Sequence, residues 1–278
     1  MASRKEQKEQ ARQERLAREQ ELAANAAQRK RLQLIGGVAA AAVVIVAVIV
    51  VISIKGGTTK ATASPTSSAN VAAAGHVNTL LAGIEQHGST LGNPSAKVTI
   101  TEYGDLECSV CDEFALATGT SSPAGVPGSG IENELIDNDV KTGKAKLVYK
   151  SMQTATPSSS TFALQQSAAY AAGLQNKAWN YVELFYNEQG QEDTGYVNMA
   201  YLEGIAKQIP GLNYTQWLNN VNSAKLRAQV ASENTSGVQL DDGSASTPTI
   251  LIQGPKNEAL FQGLTAYSKL ASAIDASA

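Results

Sequence analysis

Residues 102–114 read EYGDLECSVCDEF. They hold both cysteines of the chain, Cys108 and Cys111, with carboxylates at Asp105, Glu107, Asp112 and Glu113 around them. The preceding KVTITEY (97–103) has the alternation and β-branched content of a strand, and a helix start follows the cysteines at once. Three uses of such a pair compete. As a staple, a bridge across two intervening residues closes so short a loop that chain entropy gives it under about 2 kcal/mol. As a metal site, it lacks a second ligand pair. The only histidines, His76 and His87, lie upstream and read as ordinary surface or linker residues.

A redox couple explains position as well as spacing. A cysteine at the turn from strand to helix meets the unpaired N–H groups of the helix start, which stabilise a thiolate. Cys108 is expected at that exposed place. Cys111, one turn further, is expected beneath it on the same side, where it can resolve a mixed disulfide.

Composition divides the chain before any fold argument. Residues 1–33 carry nine Lys or Arg against five Glu, a net +4, and read as a charged cytoplasmic helix or tail without an apolar stripe. Residues 34–54, LIGGVAAAAVVIVAVIVVISI, carry no charge. Twenty-one residues rising ~1.5 Å each span roughly 31 Å, the hydrocarbon thickness of a bilayer. Basic residues crowd the N-terminal side (QRKRLQ abuts the run), whereas only Lys55 and Lys60 follow closely. The expectation is a retained signal anchor, N-terminus cytoplasmic, with the bulk of the chain extracytoplasmic. Residues 55–76 are small and polar and read as a flexible linker with a reach near 26 Å. Residues 56–278 carry twelve Lys or Arg against twenty Asp or Glu, a net −8, which argues against nucleic acid as a partner.

From about residue 77 the pattern is globular, so 77–278 is read as one α/β domain. GKAKLVYKSM (143–152) reads as a second strand. A long helical tract follows, broken at Pro210-Gly211, with Asn213 as the cap of the next helix. TPTILIQG (247–254) and EALFQG (258–263) read as a hairpin, and TAYSKLASAIDA as a last helix.

On these residues the chain resembles the DsbA-like branch of the thioredoxin-fold thiol–disulfide oxidoreductases, in the membrane-anchored form common among bacteria. The resemblance covers about residues 88–275. It rests on GNPSAKVTITEYGDLECSVC, on GKAKLVYKSM, and on GLNYTQWLNNVNS…VQLDDGSASTPTILIQG taken in that order. It implies a thioredoxin fold with a helical insertion, here preceded by one transmembrane helix. It implies a cis bond at Thr247–Pro248 facing the disulfide, with the Thr247 backbone free to pair with an extended substrate strand. It also matches Glu102 to a buried acid beneath the second cysteine; the residue pattern alone leaves a half-exposed Glu at the strand end equally open. The implied activity is disulfide exchange with thiols of exported proteins, with Cys108 attacking and Cys111 resolving. A quinone-coupled membrane oxidase of the vitamin K epoxide reductase type is the implied electron acceptor, and no cofactor or metal is called for.

Two departures stand out. Ser109-Val110 lacks the proline and histidine of strongly oxidising members, and TGTSSPAGVPGSG (118–130) interrupts what should be one long helix, which predicts a surface loop near the site. With carboxylates on both sides of the thiols, the expectation is a moderate oxidant. Its Cys108 pKa should lie nearer thioredoxin's, about 7, than the ~3.5 of the strongest oxidant, and its potential between about −270 and −120 mV, toward the reducing end. A reductase or isomerase role stays open. So does a rival of another class, a peptide- or partner-binding module whose disulfide is inert.

Overall fold

The computed structural model of the chain describes residues 63, 66–116, 130–240 and 243–278. The charged tail (1–33), the apolar run (34–54) and most of the 118–130 loop lie outside the described residues. Among those described, no helix is long and apolar enough to cross a membrane.

Among the described residues, six strands form one sheet: β1 (Gln86–His87), β2 (Thr90–Leu91), β3 (Val98–Gly104), β4 (Ala145–Ser151), β5 (Thr249–Gln253) and β6 (Glu258–Gln262). Their spatial order is β1-β2-β4-β3-β5-β6. Only β3 and β4 run parallel, and Glu102 stands opposite Tyr149 across that ladder and opposite Ile250 on its other side. As the central pair, β3 and β4 need a crossover connection. The helices α2 (Ser109–Ala115) and α3 (Ile131–Leu135) lie within it. Buried along nearly its whole length, β3 reads as a strand covered on both faces. In contrast, β6 is an edge strand with no fully buried residue.

Between β4 and β5 lies the helical insertion: α4 (Ser159–Gly173), α5 (Ala178–Asn187), α6 (Met199–Ala206), α7 (Tyr214–Asn220) and α8 (Ala224–Leu240). The expected cap holds, since the Asn213 side chain accepts from the Gln216 N–H at 3.0 Å. Every residue from Ala178 to Tyr186 is buried, so α5 has no solvent face and acts as the central strut of the insertion. It packs against α4 and also against α2, which joins the insertion to the cysteine helix. Two indoles lock the ends by donating to backbone carbonyls, Trp179 to Ser89 and Trp217 to Ala168, both at 2.8 Å. The terminal helix α9 (Tyr267–Ser277) covers β5 and α3.

The structure departs from the sequence reading in places. A helix, α1 (Ser68–Leu80), begins inside the stretch read as linker (55–76). Ser67 caps it by accepting from the Asn70 N–H, and Val77 and Leu80 seat it in the core, so its alanines are part of the folded unit rather than free chain. The two short strands β1 and β2 were too brief to show a period. A π-helical turn, Ile136–Val140, continues α3.

Candidate active site

At the C-terminal end of β3 the chain must turn sharply into α2, and Asp105 fixes that turn. Its buried carboxylate accepts from the backbone N–H groups of Glu107 (3.1 Å), Thr154 (2.9 Å), Ala155 (3.0 Å) and Thr156 (2.9 Å), and from Gln165 Nε2 (3.2 Å). One carboxylate therefore holds the turn after β4 against the turn before α2. Sequence reasoning counted Asp105 among charges that raise the thiol pKa; its structural duty could not be seen without knowing that residues 154–156 lie beside it. Gly104, one residue earlier, has no room for a side chain: a Cβ there would meet the Tyr186 hydroxyl at 2.7 Å.

Cys108 occupies the N-cap of α2, with extended backbone and no side-chain cap bond. Its Sγ lies 3.6 Å from the carbonyl oxygen of Thr247, and the Thr247–Pro248 bond is cis. The Thr247 hydroxyl in turn touches that of Thr154. Gln189, which follows α5, donates to the Cys108 carbonyl at 3.1 Å and to that of Leu106 at 2.7 Å. The site is thus assembled from β3, the turn after β4, the insertion and the loop before β5.

Both cysteines are free thiols. Cys108 is less open than its place at the helix start suggested, at 6% exposed against 0% for Cys111, because the 247–248 loop lies against it. Their acidities are driven apart. The Cys108 thiol is lowered from 9.0 to about 7, chiefly by the hydrogen bond from Cys111, then by the Thr247 side chain and the backbone N–H groups of Cys111 and Val110, against the opposing effect of burial. Burial first, then the neighbouring Cys108 and Glu102, push Cys111 well above its ordinary value. That is the asymmetry exchange needs: one thiolate ready to attack, one thiol protonated until it is called on.

Glu102 is fully buried, which removes the half-exposed alternative. Its carboxyl is pushed up to about 7 by burial, with a hydrogen bond from Glu132 working the other way. Two of the carboxylates near the thiols do not act as fixed charges. Glu107 and Asp112 are themselves raised to about 7, primarily by burial. Glu192 accepts from the Ser109 hydroxyl at 2.8 Å. Sequence reasoning missed Glu132 and Glu183, which lie with Glu102 in the core. The signal was available in one of them, a lone Glu in AWNYVELFYN, a helix with no polar side. His87 is exposed beside Glu85, and His76 is exposed on α1.

Fold and site together define a thiol–disulfide oxidoreductase. The chain belongs to the Thioredoxin family, whose profile matches residues 85–125 and 128–276. Among solved structures it is similar to BdbD from Bacillus subtilis, with 18% identity, a TM-score of 0.53, and coverage of 69% of this chain and 95% of that one. Chlamydia trachomatis DsbA gives 19% identity and a TM-score of 0.52, with 67% and 89% covered. Wolbachia pipientis alpha-DsbA1 gives 15% and 0.53, with 67% and 88% covered. At these identities the likeness is one of fold. Compared by sequence with curated proteins, the chain matches none.

Proposed function

We propose that this chain is an extracytoplasmic thiol–disulfide oxidoreductase, anchored by residues 34–54, that passes its Cys108–Cys111 disulfide to thiols of exported proteins as a moderate oxidant. The observation that carries the exchange chemistry is the placement of the two thiols, Cys108 at the N-cap of α2 beside the Thr247 carbonyl and Cys111 in the helix behind it, fully buried. A substrate thiolate attacks Cys108; Cys111 leaves and is protonated; a second substrate thiol releases Cys108. Thr247 and Pro248 border the sulfur that forms the mixed disulfide, and the Thr247 backbone is the expected pairing edge for an extended substrate. The location rests on the charge pattern around the apolar run, and a quinone-coupled membrane oxidase of the vitamin K epoxide reductase type as reoxidant rests on family resemblance.

The rival is a binding module with an inert disulfide. The purified full chain should oxidise a reduced test protein when supplied as the disulfide and reduce insulin when supplied as the dithiol; failure of both favours the binding module. Protease added to intact spheroplasts should remove residues 77–278 from outside, and protection of that part would overturn the location.

A further inference from the structure

Carboxylates from two parts of the chain gather at the start of the cysteine helix. Glu107 comes from the turn into α2, Asp112 and Glu113 from α2 itself, and Glu192 and Asp193 from the loop between α5 and α6. That loop is held against α2: Gln189 donates to the Leu106 and Cys108 carbonyls, and Glu192 accepts from the Ser109 hydroxyl at 2.8 Å. Burial raises the Glu107 carboxyl to about 7, and the charges of Asp105, Asp193 and Glu192 add to the rise against a hydrogen bond from Thr156. None of these five acids takes part in an ion pair among the described residues. The stretch 117–129, which follows α2, has no charged residue in its sequence and so brings no counter-charge.

Several polar atoms of this cluster are buried without a partner. Glu107 is 1% exposed, and its Oε2 meets no hydrogen-bond donor among the described residues. The same holds for Asp112 Oδ1, for Glu113 Oε1 and for the hydroxyl of Tyr196, itself 8% exposed. Tyr196 stands near both Glu107 and Asp112, whose charges add to burial in raising its pKa. Idle acceptors and mutually repelling carboxylates both cost free energy, and one positive group laid across them would relieve both. Among the described residues, no three Asp, Glu, Cys or His side chains converge on a metal position. The cation that fits is therefore a spread-out one, an ammonium or guanidinium carried on a peptide.

We propose that these acids form a cation-binding rim beside Cys108, which selects substrate segments that carry lysine or arginine close to the exchanging cysteine. The reach follows from the site. Ser109, which Glu192 holds, is the next residue after Cys108. In an extended substrate paired along Thr247, the side chain two residues from the cysteine faces the same way, about 7 Å on. A lysine or arginine there brings its charged end to the rim and lays its stem over Val110, which is 39% exposed. Asp193 is exposed and Glu192 half-buried, so their field acts on a substrate before contact and speeds its approach. The same field turns away acidic segments, so the selection is repulsive as well as attractive.

This inference rests on disulfide exchange at Cys108–Cys111 and on neither its direction nor its location. The test opens the disulfide of the full-length protein with single-cysteine peptides that carry Lys, Gln or Glu two residues from the cysteine, with rates expressed per peptide thiolate. At low salt the Lys peptide should react about tenfold faster than the Glu peptide, with Gln between, and about 0.5 M NaCl should draw the three together. Glu192→Gln, and Asp193→Asn at its left-handed φ of 63°, which asparagine tolerates, should each lower the ratio about twofold. Glu258→Gln, an equal loss of charge on the edge strand β6, should leave it unchanged. One rate for all three peptides, a ratio that neither rim variant lowers, or an equal fall with Glu258→Gln would overturn the rim. The reduced wild type carries a second readout that needs no exchange. Iodoacetate, an anion, should alkylate Cys108 roughly fivefold more slowly, relative to neutral iodoacetamide, than it alkylates free cysteine, and equal ratios would overturn the rim. A disulfide that none of the peptides opens would instead sink the exchange reading, and the alkylation ratio would still decide the rim.

Discussion

The Cys108 sulfur lies 3.6 Å from the backbone oxygen of Thr247, 139 residues away in sequence, and the same residue's hydroxyl touches that of Thr154. Thr247 therefore serves the thiol twice, with a carbonyl beside it and a hydroxyl that helps hold its pKa down. Thr247→Val keeps the shape and removes the hydroxyl. A hydrogen bond of net ~1 kcal/mol corresponds to ~0.7 pKa unit, so the Cys108 pKa should rise by about that much. The pH dependence of alkylation by iodoacetamide reads it; an unchanged midpoint would mean that the helix N–H groups and Cys111 act alone.

The division of labour between the cysteines predicts an asymmetry in trapping. With Cys111→Ser, a substrate that has joined Cys108 has no resolving thiol, so mixed disulfides should accumulate and run as high-mass species on non-reducing gels. With Cys108→Ser, the remaining thiol is fully buried and raised in pKa, so nothing should accumulate. Equal trapping by the two variants would remove the assigned roles.

Asp105 is predicted to matter for stability more than for acidity. Asp105→Asn replaces one accepting oxygen with an N–H₂ group, which faces the Glu107 N–H where it takes the place of Oδ1 and the N–H groups of 154, 155 and 156 where it takes the place of Oδ2. Leaving buried donors unpaired costs about 1–3 kcal/mol each, softened by rearrangement, so a loss of roughly 2–4 kcal/mol is expected in urea unfolding. A loss below 1 kcal/mol would show that the two turns hold without it.

How much of this was legible in the sequence follows from which signals are local. The strand–cysteine–helix order of β3 and α2 could be read, because alternation and helix starts are short-range properties. The cap at Asn213 and the hairpin of β5 and β6 were legible for the same reason. Residues 68–76 were misjudged because Ser, Ala and Gly look like linker until a core is present to receive Val77 and Leu80. Glu132 was hidden in GIENELI, where a surface helix also carries acids. Only its place at i and i+4 with the buried Ile136, and at i and i+3 with Leu135, marks the inward face. Asp105 was seen as a charge and not as an acceptor, because its donors are about fifty residues away.

The buried acids also predict how stability depends on pH. Glu102 and Glu183 have folded pKa values of about 7 and about 8, above the 4.5 of an unfolded glutamate. A group raised on folding binds its proton more tightly in the native state. Its contribution is fully present below about pH 4.5 and is lost as pH climbs through 7 to 8. For Glu102, a rise of about 2.5 units corresponds to about 3 kcal/mol across that window. Stability measured by urea unfolding should therefore fall between pH 5 and 9, and Glu102→Gln should flatten the decline. An equally steep decline in that variant would place its origin elsewhere.

The same acidities set the potential of the couple. A strongly oxidising pair needs a specially stabilised thiolate. Here Cys108 reaches only about 7, the value typical of thioredoxin, because its main support is the neighbouring Cys111 thiol and burial opposes it. The acids beside it are held near 7 by burial, so at neutral pH they are partly protonated and repel the thiolate less than fixed charges would. The potential at pH 7 should then fall between about −270 and −120 mV, toward the reducing end. Repulsion from Cys108 is one of the causes that raise Asp112, after burial and Glu113. Asp112→Asn removes that repulsion, and lowering the thiol by up to one unit would make the couple more oxidising by up to about 30 mV. Equilibration with glutathione buffers at pH 7 and pH 8 measures both quantities. The variant's shift should be larger at pH 8, where the wild-type Asp112 is more fully ionised. A wild-type potential near −120 mV, or a shift that shrinks with pH, would mean that the acids do not set the couple.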